Sequence, residues 1–210
     1  RLQEKLFAQV VAMLMARGLI LKKGTIVDST IISAPSSTKN KEKKRDPDAH
    51  QVKKGNTWHF GYKAHIGVDR DSGLVHTVEA TAANVHDATE TSRLLTGDED
   101  EVYGDSGYLG AEKRGDAIIR NKAGRKIKYR INRRPSQVKK LSKSGQYAAK
   151  KAEHAKSSVR AKVEHAFGVV KKQLRFRKTR YRGLEKQRAK FNIMFALANL
   201  ILADRPCLAA

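Results

Sequence analysis

Three acidic residues stand where a carboxylate is costly unless it has work to do. Asp28 interrupts Thr25 to Ile32 (TIVDSTII), a run rich in β-branched residues; an Asp in such a strand must be paired or bind a metal, or else cap a turn. Asp105 sits in Gly104-Asp105-Ser106-Gly107-Tyr108, framed by glycines that permit a sharp turn and a close partner. Glu164 lies in a basic helical run, Ser157 to Leu174, with Arg160 four residues before it and Lys171 seven after. At 100° per residue these three fall within roughly 40° of one another on a helix. Val163, Phe167, Val170 and Leu174 form a second stripe further round the same cylinder. Each acid alone has an ordinary reading, as a strand-end cap, a turn Asp or an i,i+4 charge pair. Together they are the oxygen-rich donor set Mg²⁺ prefers. Two such ions held between carboxylates and substrate phosphates would activate a water and steady the leaving oxygen in phosphodiester cleavage.

The surrounding sequence predicts the elements that position them. Arg1 to Ile20 reads as a packing helix, with Leu6, Val10 and Leu14 and Ala8, Val11 and Met15 at helical spacing. Ser33 to Thr57 has no periodic apolar face and carries the basic run Lys39 to Arg45, so it reads as a flexible loop or hairpin insertion, free to touch DNA phosphates or simply solvated. Trp58 to Asp69 alternates Phe60, Tyr62, Ala64, Ile66 and Val68 with His59, Gly61, Lys63, His65 and Gly67, a strand whose hairpin partner is Leu74 to Ala80. Lys63 and His65 fall on its polar face, as phosphate contacts if that face looks into an active site and as plain exposed residues otherwise. Asn84 or Asp87 is placed to cap a helix over Ala88 to Leu95. Glu101 to Tyr103 is a short strand leading into Asp105, the end of a strand being where open α/β sheets put ligand groups. A helix over Ala111 to Arg120, a strand over Lys126 to Asn132, a basic loop over Arg133 to Gly145, a helix from Gln146 to about Arg180 and a buried helix over Phe191 to Leu202, closed by Pro206, complete the pattern. The order predicts an α/β fold in which the three acids meet at one edge of a mixed sheet.

Charge bounds the partners. The 210 residues carry 44 Lys and Arg against 21 Asp and Glu, a formal net charge of +23. Such an excess calls for a polyanion, first of all nucleic acid. From Arg120 to Lys190 there are 26 Lys or Arg and only three acids, Glu153, Glu164 and Glu185. No apolar run is long enough to span a membrane. One cysteine, Cys207, excludes an internal disulfide and a Cys-based zinc site and makes a reducing, cytoplasmic setting the expectation. The sequence opens on Arg1 rather than Met, as a fragment would.

Val27-Asp28-Ser29-Thr30, Gly104-Asp105-Ser106-Gly107-Tyr108 and the Arg160, Glu164, Lys171 spacing resemble the DDE transposases of bacterial insertion sequences, as do Trp58 to Asp69 and Thr81 to Asp87 (TAANVHD). Ser157 stands where that family's helix signature has Tyr. The resemblance covers about Gly24 to Asp204. It implies a ribonuclease-H-like mixed sheet flanked by helices over residues 24–204, with residues 33–57 inserted, an N-terminal helix over 1–23 and a tail over 205–210. It implies Asp28, Asp105 and Glu164 as ligands of Mg²⁺, in two ions that Mn²⁺ would replace, and Arg160 and Lys171 as DNA contacts near the cut. The activity implied is strand cleavage at transposon ends and transfer of the freed 3′-hydroxyl into double-stranded target DNA by a homo-oligomer. A metal-dependent nuclease of the same fold without transfer, and a non-catalytic basic DNA-binding derivative, are the alternatives.

Overall fold

Strand β1 (Gly24–Ser33) is the axis of the sheet. Its β-branched residues suit a strand buried on both faces, and the computed structural model, which describes residues 1–204, gives it neighbours on both edges. On one side β3 (Thr57–Asp69) runs antiparallel, in register from Thr25 opposite Asp69 to Ser33 opposite Gly61. On the other side β5 (Glu101–Gly104) runs parallel, followed by the parallel β6 (Lys128–Ile131). The far edge of β3 is shared by β4 (Val75–Ala82) and, further toward the start of β3, by β2 (His50–Lys54). An antiparallel β1–β3–β4 unit extended by two parallel strands and flanked by helices is the ribonuclease-H-like arrangement expected.

The strands' alternation sorts their side chains onto two faces. Ile26, Ile32, Tyr62, Ala64, Ile66 and Val68 pack under three helices: α1 (Leu2–Ala16), α4 (Lys143–Gly168) and α5 (Leu184–Ala203). Phe167 of α4 meets Phe195 of α5 edge to face, with ring centroids 6.3 Å apart. The opposite face buries Val27, Val102, Tyr108, Ile127 and Ile131 against Leu94 and Leu95. The second face is therefore covered, and nothing along the middle of β3 is open to solvent.

Several expectations are corrected. Helix α1 buries Val11 and Leu14, one from each stripe read in the sequence, together with Phe7, and leaves Leu6 and Met15 exposed. The insertion is partly a hairpin, β2 turning into β3, and its Asp46 accepts hydrogen bonds from Tyr62 Oη (2.5 Å) and Gly183 N (3.1 Å), which dock it on the start of α5. Residues 88–95 form a 3-10 turn, Asp87–Glu90, running into one turn of α2 (Thr91–Leu94); the cap is the His86 ring, not Asn84 or Asp87. Only the 3-10 turn Ala111–Lys113 forms where a helix to Arg120 was expected, and the stretch 133–145 holds a short helix, α3 (Pro135–Lys139), Pro135 taking the first helical position, where its missing N–H costs nothing. The long helix α4 begins at Lys143 and changes after Gly168 into a π-turn, Val169–Gln173, instead of running on to Arg180. Helix α5 starts at Leu184, seven residues earlier than its apolar stretch. Pro206, Cys207 and the tail 205–210 lie outside the described residues. No helix of the described residues is long and apolar enough to cross a membrane.

Candidate active site

Asp28 projects from β1 toward α4. Its Oδ1 accepts the Ser29 N–H (2.7 Å), and its Oδ2 lies 3.4 Å from Arg160 Nη2. The side chain is 15% exposed, little enough for dehydration to dominate. Burial pushes its carboxyl up to about 6; the Ser29 bond and Arg160 oppose the rise, and the negative charges of Asp105 and Glu164 add to it.

Asp105 directly follows β5 and caps the 3-10 turn Ser106–Tyr108, its Oδ1 accepting the Gly107 N–H at 2.8 Å. It is thus both a turn Asp and an acid at a strand end. The turn packs closely on Gly104: a Cβ there would lie 3.0 Å from Ile131 Cδ1 and 3.1 Å from Tyr108. Glu164 stands on α4, exposed, beside the buried Val163 and Phe167.

All three acids line one cleft of about 470 Å³ together with Arg160 and Lys171. Lys54 and Lys172 line it too, and neither was singled out in the sequence. Lys54 ends β2, so one corner of the basic insertion reaches the cleft; a lysine inside a lysine-rich stretch gives no signal of its own. Burial and the nearby Lys54 and Arg177 push the half-buried Lys171 ammonium below its usual range, against the pull of Glu164. Lys171 lies in the π-turn, an irregularity that recurs at functional sites. Arg160 reaches both Asp28 and Asn132 Oδ1 (3.4 Å), and Asn132 Nδ2 also donates to Ser157 Oγ at 3.3 Å. Ser157 therefore ties α4 to the end of β6.

Lys63 and His65 do not face solvent. They are 8% and 0% exposed, and both point at Asp87 on the covered face of the sheet. The reading of an open polar face is corrected: alternation fixed which side these residues take, and the turns around Asp87 and Ser106 cover that side.

Three carboxylates on one cleft are the donor type a hard divalent cation takes, one of them held at an unfavourable charge by burial. Among the described residues, no group of three or more His, Cys, Asp or Glu is drawn closely enough together to hold a metal ion. Asp28 instead has the Arg160 guanidinium beside it.

A family model described as a transposase DDE domain matches residues 20–200. No solved structure matches the chain. The match takes in the whole sheet, the cleft with its three acids, and α5 up to its last turn, so the chain belongs to the transposase DDE domain family.

Proposed function

We propose that this chain is the catalytic part of a DNA transposase, cutting strands at transposon ends and joining the 3′-hydroxyl to target DNA, with Asp28, Asp105 and Glu164 as its metal-binding acids. The observation that carries the reading is one cleft lined by acids from three separate elements and rimmed by Arg160, Lys54, Lys171 and Lys172. When bound, Mg²⁺ or Mn²⁺ supplies activation of the attacking hydroxyl and charge neutralisation at the leaving oxygen. Asp28 and Asp105 are held on the sheet by bonds from Ser29 N and Gly107 N, which fix their carboxylates before substrate arrives. Glu164 comes from a helix and supplies the third carboxylate across the cleft. Arg160 sits against Asp28 and is placed to turn to a phosphate once that acid is engaged. The lysines hold the strand along the rim. Two copies acting on paired ends would form the working assembly.

The test is Glu164→Gln on labelled duplex DNA, beside melting curves of parent and variant in EDTA and in Mn²⁺. The variant is expected to keep DNA binding, lose cleavage, and show a smaller Mn²⁺-dependent rise in melting temperature than the parent, since a ligand that binds only the folded state stabilises by mass action. Full cleavage by the variant overturns the three-acid site. Cleavage by the parent with no joined product overturns the transfer step.

A further inference from the structure

Behind the cleft, on the opposite face of the sheet, lies a cluster of polar side chains that the proposed chemistry does not use. Asp87 Oδ1 accepts from Lys63 Nζ at 2.9 Å and from Ser29 Oγ at 2.8 Å, and His65 Nδ1 stands 3.7 Å away. Lys63 Nζ also donates to the Val85 carbonyl (2.6 Å), and His65 Nε2 is hydrogen-bonded to Thr81 Oγ1 (2.8 Å). The cluster thus joins β1, β3, β4 and the turn at Asp87.

Its position relative to the acids gives it meaning. Ser29 and Gly107 are the two residues whose backbone N–H groups hold Asp28 and Asp105. Asp87 lies against both. Its Oδ1 holds the Ser29 hydroxyl, and its Oδ2 faces Gly107, where an added Cβ would come within 3.8 Å of it. One carboxylate therefore holds the side chain of one of the two residues that aim the sheet acids and borders the other, and Lys63 fixes that carboxylate in place. Lys63 is buried and Asp87 half-buried; an ion pair withdrawn from water stabilises little compared with apolar side chains of the same volume, so stability alone does not account for one here.

We infer that Lys63 and Asp87 are a positioning pair: through Ser29 and the Gly107 turn they set the separation and aim of Asp28 and Asp105, and they make no contact with DNA. The inference rests on the three-acid reading above. Lys63, 8% exposed and held by two oxygens, is in the wrong place for a phosphate.

The test uses the full chain with Lys63→Met, Asp87→Asn, the double variant and Lys63→Arg, each beside the parent and Glu164→Gln. Three quantities are read: DNA affinity in EDTA, cleavage in Mn²⁺, and the Mn²⁺-induced rise in melting temperature. The expected result is unchanged DNA affinity, cleavage reduced about tenfold to a hundredfold as misplaced groups require, a smaller Mn²⁺-induced rise, and partial recovery in Lys63→Arg. Removing one partner strands a charge, buried on Lys63 and half-buried on Asp87, so the singles are expected to lose stability, Asp87→Asn the more. The double variant carries neither charge and decides the matter even if a single fails to fold: stability near the parent's with cleavage still low supports positioning. Parental cleavage and metal response in the folded double variant overturn it, as does a fall in DNA affinity on Lys63→Met. If Glu164→Gln cleaves normally, the three-acid reading itself has failed; if Glu164→Gln is dead while the double variant cleaves normally, only the positioning role has.

Discussion

Asp28 shows how much a single strand residue is asked to tolerate. Its carboxyl is raised to about 6 in the fold from an ordinary 3.8, chiefly by burial. A raised acid binds its proton more tightly in the folded state, so its stabilising contribution is complete below about 3.8 and is lost as pH rises through about 6. Above that pH the ionised group costs up to ~3 kcal/mol. Asp28→Asn is therefore expected to make the metal-free protein more stable at pH 7.5, by on the order of 1–3 kcal/mol, because the Arg160 contact it gives up is a long one. The gain should shrink steadily as pH falls toward 4. Urea melts in EDTA at several pH values check it; a variant no more stable than the parent at pH 7.5 would mean that the acid is not strained by burial. Glu164 is exposed, and its Gln variant should change metal-free stability little. The same contrast explains what was legible. Asp28 and Asp105 were visible because a carboxylate in an apolar strand or a glycine-framed turn is out of place. The residues themselves give Asp87 no role beyond a helix cap, because the residues it serves, Lys63 and His65, come from a strand more than twenty positions away and nothing in their spacing names their partner.

At the scale of elements, the strands were legible and the helices between them less so. β1 and β3 announce themselves by β-branching and by period-two alternation. The π-turn after Gly168 does not, since its residues keep the helical apolar pattern, with Val169 and Val170 both buried. The short turns at 87–94 and 111–113 were overread because a few helix-favouring residues cannot reveal how soon tertiary packing ends a helix. The strand ends are fastened by buried polar groups with their own consequence. Thr25 Oγ1 gives its one proton to Glu99 Oε1 (3.1 Å), so at its 3.0 Å contact with His76 Nε2 the ring must be the donor. His76 Nδ1 is then the acceptor for Thr77 Oγ1 at 2.9 Å, and the ring is neutral. Burial pushes it down to about 4 from an ordinary 6.5, with Glu99 opposing. A depressed histidine binds fewer protons folded than unfolded. Its contribution is whole above about 6.5 and is lost as pH falls toward about 4, at about 1.4 kcal/mol per pH unit. With His65 pushed down to about 4 as well, the two histidines outweigh the opposing gain from Asp28, so unfolding free energy should drop between pH 7 and pH 5, and the His76 ring resonances should titrate well below the ordinary 6.5. A His76 midpoint at or above 6.5 would mean that β1, β4 and the turn before β5 are not tied together in this way.

For the molecule as a whole, the surplus of +23 has to be read with its distribution. Around the cleft four cations stand against three acids: Arg160 is paired with Asp28, while Lys54, Lys171 and Lys172 line it with Asp105 and Glu164. The run Lys39 to Arg45 is exposed, with Arg45 laid over the Phe60 ring at 5.6 Å. Lys63, by contrast, is spent inside the fold. Duplex DNA binding should therefore be strong, largely independent of sequence, and driven by release of counterions. If six to ten phosphates are neutralised, affinity falls about 10³- to 10⁵-fold between 50 and 200 mM salt. The distribution predicts which residues carry that slope. Lys171→Ala or Lys172→Ala should lower its magnitude by about one, the share of one phosphate contact. Lys63→Met should leave it where it was. Fluorescence anisotropy on a labelled duplex in EDTA, titrated across salt, measures all of these without any need for catalysis. A parent affinity nearly flat in salt would remove the counterion argument altogether. A slope altered equally by Lys63→Met and Lys171→Ala would mean that the covered face of the sheet opens to meet DNA, and that the division of labour between rim and interior is wrong.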